Sequence, residues 1–219
     1  MRRTVPFAAA ALLLAAGCAG AQSTSHNQPA PLPARPLAAY AARAVVVLPT
    51  HYLRPGDPMG WAAQISDVRG YLDEVDGEIA FALGDRGVKR LWVFPPRLVA
   101  AAKRNPGYAA DPHDLAAEWL RPPMRRVPEQ LPEPFASQVR TIIALQENTQ
   151  YVLFPVEIRF EPAGEGKEGG RAVIHLVLLD ARRSHIVWAA DVASDPTTSF
   201  SPALAASAAE HIADLVAAR

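Results

Sequence analysis

The stretch RAVIHLVLLDARRSHIVWAADV, residues 171–192, decides the fold of this chain. Two runs rich in β-branched and aliphatic residues flank the short polar segment ARRS, which is the pattern of two antiparallel strands joined by a tight turn. Period-two alternation places Ile186, Trp188 and Val192 on one face of the second strand. We therefore expect this hairpin to be the most stable part of the domain, with Trp188 packed against the carboxyl-terminal helix.

The strand before the hairpin has a similar alternating character. In QYVLFPVEIRF, residues 150–160, every second residue is apolar, and Glu157 and Arg159 fall between those positions. Such alternation predicts a strand with one buried face and one solvated face, and it places Glu157 and Arg159 on the solvated one. The shorter apolar runs at residues 45–48 and 91–94 predict two further strands.

Helical periodicity accounts for most of the remaining body. Helices are expected over residues 68–85, 95–104, 111–120, 133–146 and 202–219. In the first of these helices, the acidic residues of DEVDGE, residues 73–78, are expected on the solvated face. The order of elements ends with three antiparallel strands and a closing helix. It predicts an α+β fold, in which a mixed or antiparallel sheet packs with helices in a single domain.

The beginning of the sequence has the features of a bacterial lipoprotein signal. Arg2 and Arg3 precede an apolar segment that is too short to span a bilayer, and small residues lead into Cys18. This arrangement resembles the lipobox of bacterial lipoproteins, in which the cysteine sulfur receives a diacylglyceryl group and the preceding peptide is removed. The alternative is an ordinary secreted protein that is cleaved after an Ala-x-Ala type of site.

The resemblance to lipoproteins implies how the chain is divided and where it lies. Residues 1–17 are expected to be the signal peptide, residues 18–42 a Pro- and Ala-rich tether, and residues 43–219 the periplasmic domain. Ala19 is not the aspartate that commonly retains lipoproteins at the inner membrane. We therefore expect the protein at the periplasmic face of the outer membrane, bound to the membrane through a lipid on Cys18.

Composition excludes several classes of function. The chain carries 22 basic and 22 acidic residues, so its formal net charge is zero. It has no basic stripe, and nucleic-acid binding is therefore not expected. Cys18 is the only cysteine, so a disulfide framework is not possible and the stability of the domain must come from a packed core.

The sequence contains no recognised catalytic motif: no nucleophile elbow, Walker loop, HExxH or CxxC occurs. His175 and His185 fall on neighbouring strands near a turn. They are either a pair without function or two ligands of a metal site whose third ligand is not indicated by spacing. Asp111 and Asp114 flank His113, which is typical of capping at a helix start. We therefore expect no enzymatic activity, no cofactor and no bound metal.

The segments AVVVLP, NTQYVLFPVEIRF and VIHLVLLDARRSHIVWAADV follow one another with intervening helices and a closing helix. This pattern resembles the periplasmic domain shared by the curli-secretion lipoprotein CsgG, the penicillin-binding-protein activator lipoprotein LpoB and the amino-terminal domain of TolB. In that family the third strand follows a Tyr-Val-Leu pattern, and the hairpin carries an aspartate, a short turn and a tryptophan. Residues 150–154, Asp180 and Trp188 occupy those places here.

The resemblance implies a protein of the bacterial cell envelope and leaves two functions open. One is an interaction module with an accessory or biogenesis role, and the other is a subunit of a ring-forming outer-membrane secretion channel. A channel subunit requires paired membrane-spanning strands of about 9 to 11 residues. The loops of this chain are short, proline-rich or charged and do not offer such pairs. We therefore expect an interaction module whose partner is another envelope protein.

Anchors for that partner are expected in loops that carry aromatic residues, Met and Arg, because these residues are enriched at interfaces. The loops at residues 51–61 and 121–134 have this composition. The alternative is that Tyr52 and Trp61 merely cover the end of the sheet. The candidate partner-binding residues are Tyr52, Arg54, Met59, Trp61, Arg125 and Arg126.

Overall fold

A computed structural model describes residues 35–123, 130–146, 149–164 and 166–218. Its α-helices are α1 (Val68–Asp85), α2 (Pro95–Arg104), α3 (Phe135–Ala144) and α4 (Ala203–Val216). Its strands are β1 (Val45–Val47), β2 (Tyr52–Leu53), β3 (Trp92–Val93), β4 (Tyr151–Pro162), β5 (Gly170–Asp180) and β6 (His185–Ala193). Short 3-10 helices lie at Ala38–Tyr40, Ala62–Gln64, Val88–Arg90 and Glu118–Leu120.

The strands form one mixed sheet within the described part of the chain. Their order is β3, β1, β4, β5, β6, and β2 also pairs with β4. β1 is parallel to both β3 and β4, whereas β4, β5 and β6 are antiparallel neighbours. The predicted α+β fold, a mixed sheet packed with helices, is therefore confirmed, and the hairpin of β5 and β6 lies where the sequence predicts it.

One face of the sheet packs against α1 and α4. In α1 the apolar residues recur every three or four positions, so they form one stripe on the helix that faces the sheet. Side chains from these helices and from β1, β4 and β5 form one buried cluster, which we call the first cluster. Its most buried members include Val45, Val75, Ile79, Leu153, Ile174, Leu204 and Ile212.

The other face of the sheet is covered by α3, by residues 115–120 and by Leu98 of α2. These side chains and the opposite residues of the strands form the second cluster. Phe135 of α3 stacks on Phe154 of β4 with 6.1 Å between the ring centroids. The sheet is therefore the middle of three layers, and both of its faces contribute to the hydrophobic core.

A β-bulge in β4 exchanges the two faces of that strand. The pairing of β4 with β5 shifts between Pro155 and Glu157. Before the shift Phe154 belongs to the second cluster, whereas after it Ile158 belongs to the first cluster. The prediction of one uninterrupted alternation is wrong, because a single extra residue inverts the direction of every later side chain. Glu157 and Arg159 are buried, and not solvated as predicted, because they pair with charged side chains of the neighbouring segments.

A second irregularity affects β6. The pairing of β5 with β6 shifts between Leu178 and Leu179. Ile186 therefore packs against the second cluster, whereas Trp188 packs against the first. The prediction that Ile186 and Trp188 share a face is wrong for the same geometric reason as in β4. Trp188 is only partly buried, while the first cluster that it contacts includes the residues of α4.

The helix predicted for residues 111–120 does not form. Residues 111–117 form turns, and only Glu118–Leu120 are helical. The amide of Leu115 donates to Nε2 of His51 at 3.3 Å and is therefore not available to a carbonyl of a helical turn. A hydrogen bond to a distant side chain thus replaces the local one that the sequence pattern suggests.

Residues before the predicted boundary between residues 42 and 43 contact the folded domain. Leu37 is 1% exposed, and its amide donates to the carbonyl oxygen of Leu215 at 3.1 Å. The ring of Tyr40 packs edge to face against Tyr151, with 4.9 Å between the centroids. A single leucine among prolines and alanines has no periodicity, so its burial is not visible in the sequence pattern.

Candidate functional site

Trp61, a candidate partner anchor, lies in the protein core. The residue is 5% exposed and contacts Phe200 with 6.4 Å between the ring centroids. Asp57 orders the preceding turn, since its carboxylate accepts hydrogen bonds from the amides of Trp61 and Ala62 at 3.0 and 2.8 Å. This burial fits the alternative in which Trp61 covers the end of the sheet, and it does not fit an exposed anchor.

The other described candidates are engaged within the domain. The guanidinium of Arg121 lies 3.8 Å from the ring centroid of Tyr52, which is a cation-π contact. Arg54 pairs with Glu157 at 2.8 Å, and Met59 packs against the first cluster. Tyr52, Arg54 and Met59 are all half-buried, so they do not combine with Trp61 into one exposed surface.

Cys18, Arg125 and Arg126 lie outside the described residues. Lipidation of Cys18 therefore stays a prediction from the sequence. The same holds for contacts of Arg125 and Arg126 with a partner, which depend on the loop composition described above.

A groove of about 530 Å³ lies between α1 and α2. It is close to the carboxyl ends of two parallel strands, because Thr50 follows β1 and bonds to α1, while α2 directly follows β3. Ligand sites of open α/β sheets commonly occupy this position. The groove is lined by the apolar residues Ala80, Pro95, Pro96, Val99 and Ala100 and by the polar residues Asp73, Asp76, Lys103 and His113.

Asp76 is the buried acid of this groove, and it is 7% exposed. Its Oδ1 atom accepts hydrogen bonds from the amide and the hydroxyl of Thr50 at 2.8 and 2.6 Å. Burial raises the pKa of Asp76 to about 6, although both hydrogen bonds from Thr50 act in the opposite direction. Such a shift means that the ionised carboxylate costs the fold about 3 kcal/mol at neutral pH. The prediction that this residue is solvated is wrong.

The spacing within α1 contains the signal that identifies Asp76. The residue follows Leu72 by four positions and precedes Ile79 by three, so it lies on the apolar stripe of the helix. Its acidic neighbours Asp73 and Glu74 are exposed. Of these three acidic residues, only Asp76 faces the core.

His113 shares the polar end of the groove with Asp76. Its Nδ1 atom lies 3.2 Å from the carboxylate of Asp111, which also accepts a hydrogen bond from the backbone amide of His113 at 2.9 Å. Burial and the charge of Arg69 lower the pKa of His113, while Asp111 acts in the opposite direction. The imidazole is therefore neutral at pH 7, and it adds hydrogen-bonding capacity to the groove without adding charge.

An exposed apolar surface continues from the groove along the two helices. Phe81 of α1 is 70% exposed. A second cavity of about 290 Å³ is lined by Phe81, Phe94 and Arg97, and it shares Ala80 and Pro96 with the groove. A large apolar side chain this exposed, beside a concave apolar surface, is typical of a binding site for another protein.

A second polar feature lies on the sheet beyond the bulge of β4. There β2, β4, β5 and β6 bring together charged side chains, which we call the charged cluster. Arg159 lies at its centre, with Nε 2.8 Å from Glu161 and Nη2 2.6 Å from Asp191. The members of the charged cluster are Arg54, Glu157, Arg159, Glu161, Arg171, His175 and Asp191.

The pKa values of Glu157 and Asp191, two carboxylates of the charged cluster, shift in opposite directions. Burial raises the pKa of Glu157, whose side chain is 1% exposed, although the charges of Arg54 and Arg159 oppose this effect. For Asp191 burial also acts upward, but hydrogen bonds from Arg159 and His175 hold its pKa below the usual value. The guanidinium groups and carboxylates neutralise one another, which is the arrangement of a structural ion-pair network.

His51 is a structural histidine with both ring nitrogens engaged. Its Nε2 atom accepts the amide of Leu115, so Nδ1 carries the proton and donates to the carbonyl oxygen of Pro49 at 3.0 Å. Burial lowers the pKa of His51 to about 4, against the opposing effect of the hydrogen bond to Pro49. A neutral ring is therefore part of the fold.

The histidine pair considered from the sequence does not form. Nδ1 of His175 lies 2.6 Å from Asp191, whereas His185 is paired in register with Asp180, five residues further along β5. This offset corresponds to about 17 Å along the strand. No group of three or more His, Cys, Asp or Glu side chains within the described residues is arranged to hold a metal ion.

Comparison with known proteins gives little similarity. No protein-family model and no curated protein matches the chain. Two solved structures of the PelC dodecamer from Paraburkholderia phytofirmans, one of them a point variant, are each 12% identical to it and give TM-scores of 0.38 and 0.37. The alignments cover 81% and 82% of this chain and 91% of PelC. No helix among the described residues is long and apolar enough to cross a bilayer.

Proposed function

We propose that this protein is a lipid-anchored, non-catalytic interaction module of the bacterial cell envelope, and that α1 and α2 form its surface for a protein partner. The observation that carries the proposal is Phe81, 70% exposed beside the groove between the two helices. Burying such a side chain against a partner contributes about 1.5 to 3 kcal/mol. The helices hold the surrounding side chains in place, so this surface needs little ordering before it binds.

The location in the envelope rests on the sequence. Arg2, Arg3 and the apolar segment before Cys18 support a lipoprotein signal, and the resemblance to the CsgG, LpoB and TolB family supports a periplasmic domain. An acylated Cys18 would anchor the domain to the periplasmic face of the outer membrane. A domain anchored at a membrane surface can bind envelope proteins that come within reach of the anchor, which suits a binding role.

The state of the titratable groups supports a binding role rather than a catalytic one. Both nitrogens of His51 are engaged by the backbone, and His175 is buried with its Nδ1 atom on Asp191. A catalytic base needs free access to a substrate proton, and these side chains do not have it. The acid of the groove, Asp76, accepts a hydrogen bond from the hydroxyl of Thr50, but Thr50 is fully buried, so this hydroxyl is out of reach of a substrate.

Site-specific photo-crosslinking in cells tests the proposal. A photoreactive amino acid at position 81 is expected to give a crosslinked product with an envelope protein. The same amino acid at position 187 should give none, because Val187 is also exposed, at 37%, but lies on β6. Cys18→Ser should reduce the product by releasing the protein from the membrane.

Three results would count against the proposal. Equal crosslinking at positions 81 and 187 would mean that the partner does not prefer the α1 and α2 surface to another exposed part of the domain. Crosslinks only between copies of this chain would instead favour the ring-forming secretion subunit. A protein that fractionates as soluble and is cleaved at a site other than Cys18 would remove the lipid anchor.

A further inference from the structure

The groove combines a long apolar wall with one buried carboxylate, and this combination restricts what fits in it. Pro95, Pro96 and Val99 line the side formed by α2, while Asp76 lines the side formed by α1. A purely apolar occupant would leave the negative charge of the carboxylate without a cation. A purely polar occupant would leave the apolar wall in contact with water.

The carboxylate of Asp76 is only partly satisfied by the protein. Both of its hydrogen bonds come from Thr50, and both end on Oδ1. A carboxylate accepts hydrogen bonds at two oxygens, with about four lone-pair positions. The acid therefore retains acceptor capacity at a position where it also borders the cavity.

We infer that the groove receives a lysine or arginine side chain of the protein partner, with the aliphatic stem on Pro95, Pro96 and Val99 and the cationic head on Asp76. This inference rests on the proposed function, because it names the anchor by which the partner would occupy the α1 and α2 surface. Lysine and arginine suit such a site because their stems bury along apolar surfaces while the head group keeps its polar contacts. A cation supplies the charge-assisted hydrogen bond that a buried carboxylate requires.

The other charged groups around Asp76 are compatible with a cation. On α1, Arg69 is paired with Asp73 at 2.8 Å, and Asp73 itself lines the groove. On the loop, His113 is beside Asp111 and its pKa is lowered, so at neutral pH it does not repel a cation.

Lys103 belongs to the last turn of α2 and is exposed. Its ammonium can extend into water while its stem contributes to the wall of the groove. The backbone and hydroxyl of Thr50 complete the surroundings of the acid and carry no charge.

The site also implies a dependence on pH. Only the ionised form of Asp76 attracts a cation, and burial raises its pKa to about 6. Between pH 7.5 and pH 5 the ionised fraction falls about tenfold, and affinity for a cationic group should fall in the same proportion. His113 becomes more protonated over the same range and acts in the same direction.

Three small probes of equal length test the inference on the full chain: n-butylammonium, n-butyrate and n-butanol. Binding is followed by NMR from the amide shifts of Thr50, Val99 and Ala100 during titration. At pH 7.5 n-butylammonium should bind at least about tenfold more tightly than n-butyrate, which corresponds to one charge-assisted hydrogen bond. At pH 5 that preference should be largely lost.

Asp76→Asn tests the role of the charge in binding a cation without removing the hydrogen bonds that hold the side chain. The amide oxygen still accepts the hydrogen bonds of Thr50, so the fold is expected to persist, whereas the charge is gone. The variant should lose the preference for n-butylammonium and its pH dependence. Glu74→Gln is the control, because Glu74 is exposed on the same helix and borders a different cavity. If Asp76→Asn does not fold, the titrations of the unmodified chain at pH 7.5 and pH 5 test the inference, since the preference for n-butylammonium should be lost at pH 5.

The outcomes distinguish this inference from the proposed function. If n-butylammonium binds no better than n-butanol, or if Asp76→Asn retains the preference, the cation site is wrong even when crosslinking at position 81 succeeds. If the cation preference is found but position 81 gives no crosslink to another protein, the groove binds cations and the proposed partner surface is wrong.

Discussion

Trp61 and Phe160 pack edge to face, with 5.8 Å between their ring centroids and 70° between their ring planes. The contact joins the loop after β2 to the part of β4 that lies beyond the bulge. Aromatic pairs of this geometry contribute about 0.5 to 1.5 kcal/mol in addition to the burial of their area. Tryptophan is enriched at interfaces, but Trp61 is a main element of the core.

This packing predicts that Trp61→Ala destabilises the domain more than Trp188→Ala. Removing a fully buried tryptophan typically costs about 3 to 5 kcal/mol, out of a total stability of roughly 5 to 15 kcal/mol. Trp188 is partly buried and lies on the edge strand, so its truncation should cost less. Urea denaturation of the two variants measures the difference. A larger loss for Trp188→Ala would restore the ranking expected from the sequence.

Leu37 is expected to be essential for stability although it precedes the first strand. Leu37→Ala should lower the free energy of unfolding by about 2 to 5 kcal/mol, because the side chain is buried in the first cluster. Pro36→Ala is the matched control, since Pro36 is exposed. Thermal unfolding of both variants provides the test. If a chain that begins at residue 43 is as stable as one that begins at residue 35, the contact with Leu215 is unimportant.

His51 should make the domain sensitive to acid. The folded state needs the neutral ring, whose pKa is lowered to about 4, whereas the unfolded chain takes up a proton near pH 6.5. The stabilisation is therefore present above pH 6.5 and is lost as the pH falls toward 4. The loss amounts to at most about 3 kcal/mol.

Asp76→Asn chains with and without His51→Gln, compared between pH 7 and pH 4.5, isolate this contribution, and the chain with His51→Gln should show the shallower pH dependence. Asp76 acts with the opposite sign, because acid neutralises its buried charge. Introducing Asp76→Asn into both chains removes that contribution from the comparison. Equal slopes for the two chains would show that His51 is not held neutral by the fold.

The charged cluster should be more sensitive to substitution than an exposed ion pair. Arg159→Met leaves Glu157 and Asp191 without their shared cation. We expect a loss of about 1 to 3 kcal/mol, because Arg159 and Glu157 are buried whereas Asp191 is partly exposed. Arg69→Met removes the exposed pair with Asp73 and should cost less than about 1 kcal/mol. Chemical denaturation compares the two. Similar losses would mean that the charged cluster is effectively solvated.

Regular periodicity made α1, α2, α3, α4 and the hairpin predictable. The predicted range of α1 agrees with the structure at both ends, because Asp67 caps its first turn by accepting the amide of Gly70 and the apolar stripe is continuous. The bulges in β4 and β6 were not predictable from alternation. In β4, for example, the even-numbered positions from Val152 to Phe160 are apolar on both sides of the bulge. Whether a strand keeps its register depends on its neighbours in the sheet.

The candidate site was harder to predict than the fold. Composition favoured the loop with Trp61, but composition does not distinguish an aromatic anchor from an aromatic core residue. The groove depends on the packing of α1 beside α2, which brings Asp76, Val99 and His113 together from distant parts of the chain. Only the position of Asp76 on the apolar stripe of α1 indicated its burial beforehand.

The bulge in β4 has a consequence for how the domain opens. Because of it, the even-numbered residues of this strand divide between the two clusters: Phe154 and Val156 lie in the second cluster, and Ile158 and Phe160 lie in the first. If either helical layer separates from the sheet, apolar side chains of β4 become exposed to water. We expect the amides of β4 and β5 to exchange with solvent only through cooperative opening of the whole domain, with one common free energy of opening in native-state hydrogen exchange.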